Sequence, residues 1–201
     1  MPRTATLHGS APDEHPYALL ILDLISDFRF ENGPRLVKTA LPAARRIARL
    51  KARARIAGAP SIYINDNHGR WRSDRAQLIA HCLNDQTPGR PVVELLEPQP
   101  DDYFIFKPKH SGFFATPLHA LLRHLGSQKL IITGVTIEQC VLFTAMDAYL
   151  RDFELFVPRD CVAGLMQQRY ALAHLAKVLK ADTTPSERLR LRRGGRARQG
   201  A

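Results

Sequence analysis

LIITGVTIEQCVLFTAMDAYL, residues 130–150, is the stretch on which the fold turns. Leu130, Ile131 and Ile132 make an apolar run of the kind a buried parallel strand carries. Gly134 permits a sharp backbone turn, and from Val141 onward the apolar residues recur at helical spacing. Strand, glycine turn and helix in that order put Cys140 at or near a helix N-terminus. The free backbone N–H groups and positive dipole end there favour thiolate over thiol, and they can hold an oxyanion forming on a carbonyl under attack. A free cysteine is also an ordinary small buried apolar residue, and this stretch alone does not separate the two readings.

Two further strands lead outward from it. ALLILDLISDF, residues 18–28, is apolar up to Asp23, and YFIFKPKHSGFFATPL, residues 103–118, is apolar up to Lys107. In an open parallel sheet the C-terminal strand ends line the crevice where ligands bind, so Asp23, Lys107 and Cys140 can meet although they lie far apart in the chain. The carboxylate would take the thiol proton, the ammonium would keep the acid ionised, and the thiolate would attack an electrophilic carbon. Strands expected at 17–23, 61–66, 103–107, 128–133 and 153–157, with a short sixth near Ala181, alternate with helices near 35–57, 73–83, 115–125, 138–151 and 165–179. That order specifies an α/β fold: three α/β/α layers, with a single open parallel sheet of about six strands and helices on both faces. Residues 88–102, PGRPVVELLEPQPDD, read as a proline-rich surface connection.

At these residues the chain resembles the isochorismatase-like cysteine hydrolases, the superfamily of nicotinamidase, N-carbamoylsarcosine amidohydrolase and isochorismatase. The resemblance spans about residues 17–185. It rests on Asp23, Asp27 and Phe28; on Lys107, Ser111, Phe113, Thr116 and Leu118; and on Gly134, Val135, Cys140, Val141, Thr144, Ala145, Asp147 and Ala148. It implies that Asp23 is a general base, Lys107 a supporting cation and Cys140 the nucleophile of a covalent acyl-enzyme on a small amide, ureide or related C–N substrate. It also implies that Val135 and Thr136 flank a cis peptide shaping the oxyanion hole. Two alternatives stay open. One is a noncatalytic small-molecule-binding or scaffold protein of the same fold. The other is isochorismate-type vinyl-ether hydrolysis, against which the cysteine argues. The chain departs from the pattern of many members at Ile25, His110 and Ile137, where those carry Gln, Tyr and Thr.

Phe28, Asn65, His68, Trp71, His110, Phe114 and Ile137 are the expected pocket walls. Asp66 and His68 form an Asp-x-His pair of the kind that helps bind a divalent metal in the nicotinamidase branch. Catalytic metals usually need three protein ligands, and no third is evident here, His81 lying within an expected helix. The expectation is therefore catalysis with no metal and no cofactor. Arg70, Arg72 and Arg75 either attract a substrate carboxylate or form a solvated charged surface.

The 201 residues, 45% apolar and 24% charged, suit one enzyme domain, here 16–186, between a loose arm at 1–15 and a basic disordered tail at 187–201. No apolar run is long enough to span a membrane, and the N-terminus lacks the apolar core of a secretory signal. Cys82, Cys140 and Cys161 are too few and too irregular for a disulfide framework, which points to a reducing cytoplasm. Much of the net charge of +10 sits in residues 44–58 and in the arginines from Arg188 onward. Without any recognition motif, that charge implies no specific nucleic-acid partner. The resemblance implies a homo-oligomer, dimer or tetramer.

Overall fold

Six parallel strands make one sheet in the computed structural model, which describes residues 14–191 apart from 68, 70, 71, 73, 85 and 167. They are β1 (Tyr17–Leu22), β2 (Ser61–Asp66), β3 (Tyr103–Lys107), β4 (Lys129–Val135), β5 (Glu154–Phe156) and β6 (Val162–Ala163). The order is β3-β2-β1-β4-β5, and β6 pairs with the C-terminal end of β4, Gly134 with Val162 and Val135 with Ala163. The helices are α1 (Gly33–Ala57), α2 (Arg75–Cys82), α3 (Arg90–Leu95), α4 (Leu118–His124), α5 (Leu142–Tyr149) and α6 (Gln168–Lys177).

Side-chain alternation along the strands divides the core in two. Leu19 and Ile21 of β1, Tyr63 of β2 and Ile131 of β4 pack with α1, Cys82 of α2 and Val92 and Val93 of α3. Ala18, Leu20, Leu22, Ile62, Ile64, Leu130 and Ile132 pack on the other face with Leu118 and Leu122 of α4, Ala145 and Ala148 of α5 and Leu175 of α6. Burying a Leu or Ile fully contributes about 1.5–3 kcal/mol, so the two-sided apolar strands are the main source of cohesion. β1 and β4 are the central pair, and their close approach depends on one glycine. Gly134 has φ +115, and a Cβ there would lie 2.1 Å from Leu22 O.

Several segments differ from the sequence reading. Residues 90–95 form α3 rather than a surface connection, and Val92, Val93 and Leu96 are fully or almost fully buried. Pro91 falls in the first helical turn, where a missing N–H costs nothing, so it starts the helix instead of breaking it. The sixth strand is Val162–Ala163, while the region near Ala181 contributes only a bridge between Asp182 and Phe156. At the N-terminal boundary His15 is already buried and donates its N–H to Leu125 O. The segment after 186 is docked through Leu191: Leu189 is buried against the α1 layer, Leu191 packs on the same cluster, and Arg53 donates to the carbonyls of Ser186 and Leu189. Part of the basic stretch of α1 is buried or paired. Lys51 is buried against Asp102 and Tyr63, and Arg55 pairs with Asp101. The remaining residues of the expected arm and tail, 1–13 and 192–201, lie outside the described residues.

Candidate active site

Asp23 after β1, Lys107 at the end of β3 and Cys140 after β4 converge at the C-terminal ends of the strands. Asp23 follows β1 with φ +53, and its N–H continues the strand ladder to Ile64 O at 3.0 Å. Its Oδ1 accepts the Asp66 N–H at 2.7 Å. Lys107 ends β3, wholly buried, with Nζ 2.9 Å from Asp23 Oδ2, 3.5 Å from Asp66 Oδ2 and 3.4 Å from Cys140 Sγ. Cys140 lies in a π-helical turn, Ile137–Val141, that runs straight into α5. The peptide between Val135 and Thr136 immediately before this turn is cis.

The electrostatics correct one expectation. Burial is the largest influence on Cys140 and the Asp23 carboxylate adds to it; together they outweigh Lys107 and push the thiol up to about 12. The resting group is a thiol, because the desolvation of a buried anion exceeds what a helix start returns. Burial likewise raises the Asp23 carboxyl above its ordinary range, although Lys107, the Cys140 thiol and the Asp66 N–H oppose it. Burial works against the charge on Lys107, but Asp23, Cys140 and Asp66 outweigh it and hold the ammonium.

A cavity of about 310 Å³ opens beside Sγ, lined on its apolar side by Phe28, Phe30, Leu36, Val135 and Leu165. Of the expected walls, Phe28, Asn65 and His110 line it, as do Val135 and Thr136. Asn65 is anchored by donating from Nδ2 to Ile25 O at 2.8 Å. Phe114 is instead 56% exposed and away from the cavity, because the chain after Ser111 bends toward α4. Ile137 points into the core beneath the α5 layer and is fully buried. His68 and Trp71 lie outside the described residues. The sequence reading missed Ser26, Phe30, Glu31, Leu36, Asp66, Gln139 and Leu165 as lining residues. Ser26, Phe30 and Glu31 sit on the loop between Asp23 and α1, and that position was their only signal. Leu165 follows the unforeseen β6.

Asp66 belongs to the wall and to the Lys107 ion pair, while His81 pairs with Asp27 at 2.8 Å. No group of three or more His, Cys, Asp or Glu that could hold a metal occurs among the described residues. Arg75 turns away from the cavity and donates to the carbonyls of Pro98, Gln99 and Asp102; Arg72 is exposed, and Arg70 lies outside the described residues.

Cys140 is the one thiol of the three that borders the cavity, Cys82 and Cys161 being sealed in the core. Brief iodoacetamide treatment at neutral pH is expected to alkylate Cys140 first, as read by peptide mass mapping. Equal or faster labelling of Cys82 or Cys161 would refute the accessibility this geometry implies.

An open α/β sheet with a thiol, a carboxylate and an ammonium converging at its strand ends defines a hydrolase-like cleft. The chain belongs to the isochorismatase family: residues 17–185 match the family's profile, described as Isochorismatase domain. It is 39% identical over 174 residues to the isochorismatase family protein YaaI of Bacillus subtilis, a match spanning 86% of this chain and 95% of that one. The ureidoacrylate amidohydrolase RutB of Methylorubrum extorquens is 30% identical over 135 residues, 56% of this chain and 53% of RutB, so the likeness spans about half of that protein. Among solved structures, the nicotinamidase SaPncA of Staphylococcus aureus superposes with a TM-score of 0.66 at 27% identity, covering 85% of this chain and 99% of that one. The N-carbamoylsarcosine amidase of Thermoplasma acidophilum gives 0.69 at 23% identity over 86% and 98%, a likeness of fold. The protein is accordingly an isochorismatase-family hydrolase with amidase-like relatives. Among the described residues no helix is long and apolar enough to cross a membrane.

Proposed function

We propose that the protein hydrolyses a small amide, ureide or related C–N substrate through a covalent acyl-enzyme on Cys140, with Asp23 as general base and Lys107 as its supporting cation. The observation that carries this reading is the placement of Lys107 Nζ, 2.9 Å from the carboxylate and 3.4 Å from the sulfur at one end of the cavity. As the substrate carbon meets Sγ, the thiol proton passes to Asp23, which relieves the cost of its own buried charge. Lys107 offsets the negative charge wherever it stands during the transfer. Backbone N–H groups around Thr136 and Cys140 would hold the oxyanion. The acyl group is then released by water. A cavity of about 310 Å³ is at the lower end of the range for ligand sites, about 300–1,000 Å³, which suits a small substrate.

The test is a screen of small amides and ureides for ammonia release, with wild type and Cys140→Ala side by side. Release by the wild type alone supports the reading; equal release by both proteins refutes it. A second expectation concerns metals. Activity found in the screen should survive dialysis against a strong chelator, because Lys107 already occupies the electropositive role beside Asp66 and Asp23. Loss of activity on chelation, restored by one added divalent metal per chain, would overturn that expectation.

A further inference from the structure

The proposed reaction needs two proton movements of opposite sense. One proton leaves the thiol, and another must reach the departing nitrogen, since an amide nitrogen is a poor leaving group until protonated. Asp23 is placed for the first. Its Oδ1 accepts the Asp66 N–H, its Oδ2 is paired with Lys107, and it borders the cavity beside the sulfur. Lys107 is sealed from solvent and shared by two carboxylates, which suits a fixed charge better than a proton carrier.

A second titratable side chain stands on the open side of the sulfur. His110 lines the cavity with Nδ1 3.9 Å from Cys140 Sγ, and its ring rests on Phe143 with centroids 5.5 Å apart. The segment that carries it is braced. Ser111 hydrogen-bonds the Asp147 carboxylate, the Gly112 N–H donates to Thr144 Oγ1 at 2.9 Å, and Thr116 Oγ1 donates to Gly112 O at 2.6 Å. The imidazole is therefore held beside the sulfur by three contacts that do not involve its own ring. The ionisable groups near it are Cys140 on the π turn, Asp23, Glu31 and Asp66 of the same cavity, Lys107 paired with Asp23, Lys109 next to it in the chain and Asp147 on α5 bonded to Ser111.

Resting on the reading of Cys140 as nucleophile, we propose that His110 is a second catalytic residue that carries the proton of the leaving group. The steps balance. Asp23 takes the thiol proton as the S–C bond forms. The His110 imidazolium gives its proton to the nitrogen as the C–N bond breaks, and the amine or ammonia departs. The neutral imidazole then takes a proton from the water that attacks the thioester. The S–C bond breaks, and Asp23 returns its proton to sulfur. Both groups end as they began, with Asp23 ionised and His110 charged.

Two measurements test this with His110→Gln, a change at an exposed side chain that leaves the Ser111, Gly112 and Thr116 contacts in place. The first needs no substrate. The alkylation rate of Cys140 by iodoacetamide, followed from pH 5 to 9, should trace a different pH profile in the wild type than in the variant, because only the wild type carries an ionisable ring beside the sulfur. The second compares the amide found in the ammonia screen with the p-nitrophenyl ester of the same acid, whose leaving group needs no proton. His110→Gln should slow the amide by about a hundredfold or more, the usual scale of a positioned acid, and the ester far less. The same pH profile in both proteins, or an equal loss on amide and ester, would overturn the proposal. Amide turnover that survives Cys140→Ala would instead refute the underlying reading, whatever His110→Gln does.

Discussion

With alanine in place of Cys140, turnover of an amide that the wild type hydrolyses is expected to fall by roughly four to six orders of magnitude, the scale seen when a covalent nucleophile is removed. The size follows from the site's construction. Asp23 and Lys107 are arranged around the sulfur, and without it they have no atom to activate. Substrate binding should persist, because the apolar walls Phe28, Phe30, Leu36 and Leu165 are untouched. Acid quenching of wild type during turnover should leave the substrate's acyl mass on the peptide containing residue 140. Turnover in Cys140→Ala within tenfold of wild type, or an acyl adduct on another residue, would remove Cys140 from the chemistry.

Asp23→Asn is expected to lower turnover by about two to four orders of magnitude, as loss of a positioned general base does. The accompanying pH dependence has a definite sign. The proposed mechanism uses the Asp23 carboxylate, and burial raises that carboxyl above its ordinary range, so kcat/KM should fall as pH drops through a limb above the usual carboxylate value of about 3.9. Asp23→Asn should abolish that limb. Lys107→Ala should lower turnover by a similar factor through a different route, removing the cation that opposes burial and moving the limb to higher pH. It should also lower stability by about 3–5 kcal/mol in urea unfolding, the cost of leaving one member of a buried ion pair alone. A limb unchanged in both variants would exclude Asp23 as the base.

Asp23, Lys107 and Cys140 were legible because each ends, or closely follows, an apolar strand, and chain order then dictates that parallel strand ends meet. β1 and β4 needed only composition for the same reason: central strands are apolar on both faces. Short elements were not legible. β6 has two residues, too few for any period, and α3 was hidden by prolines whose position in the first turn only the fold reveals. The motif residues Ser111, Thr144 and Asp147 carried a pattern without a reason. The structure supplies it, since they fasten the segment after Lys107 to α5. The protonation state of Cys140 was misjudged because helix position is written in sequence, whereas solvent exclusion and a neighbouring carboxylate arise only on folding. Phe114 was misplaced for a similar reason, as nothing local says which of two adjacent phenylalanines turns inward; Phe113 does.

β1 lies between β2 and β4 at the middle of the sheet, and Asp23, Lys107 and Cys140 come from three separate strand–crossover units. No single strand–crossover unit contains the site, and β2, which pairs with both β1 and β3, cannot be shed without separating the strands that carry it. For a domain that unfolds in one cooperative step, measured activity then becomes a census of intact molecules. A heated or denaturant-treated sample at half its initial rate would hold half its molecules fully competent, rather than all of them impaired.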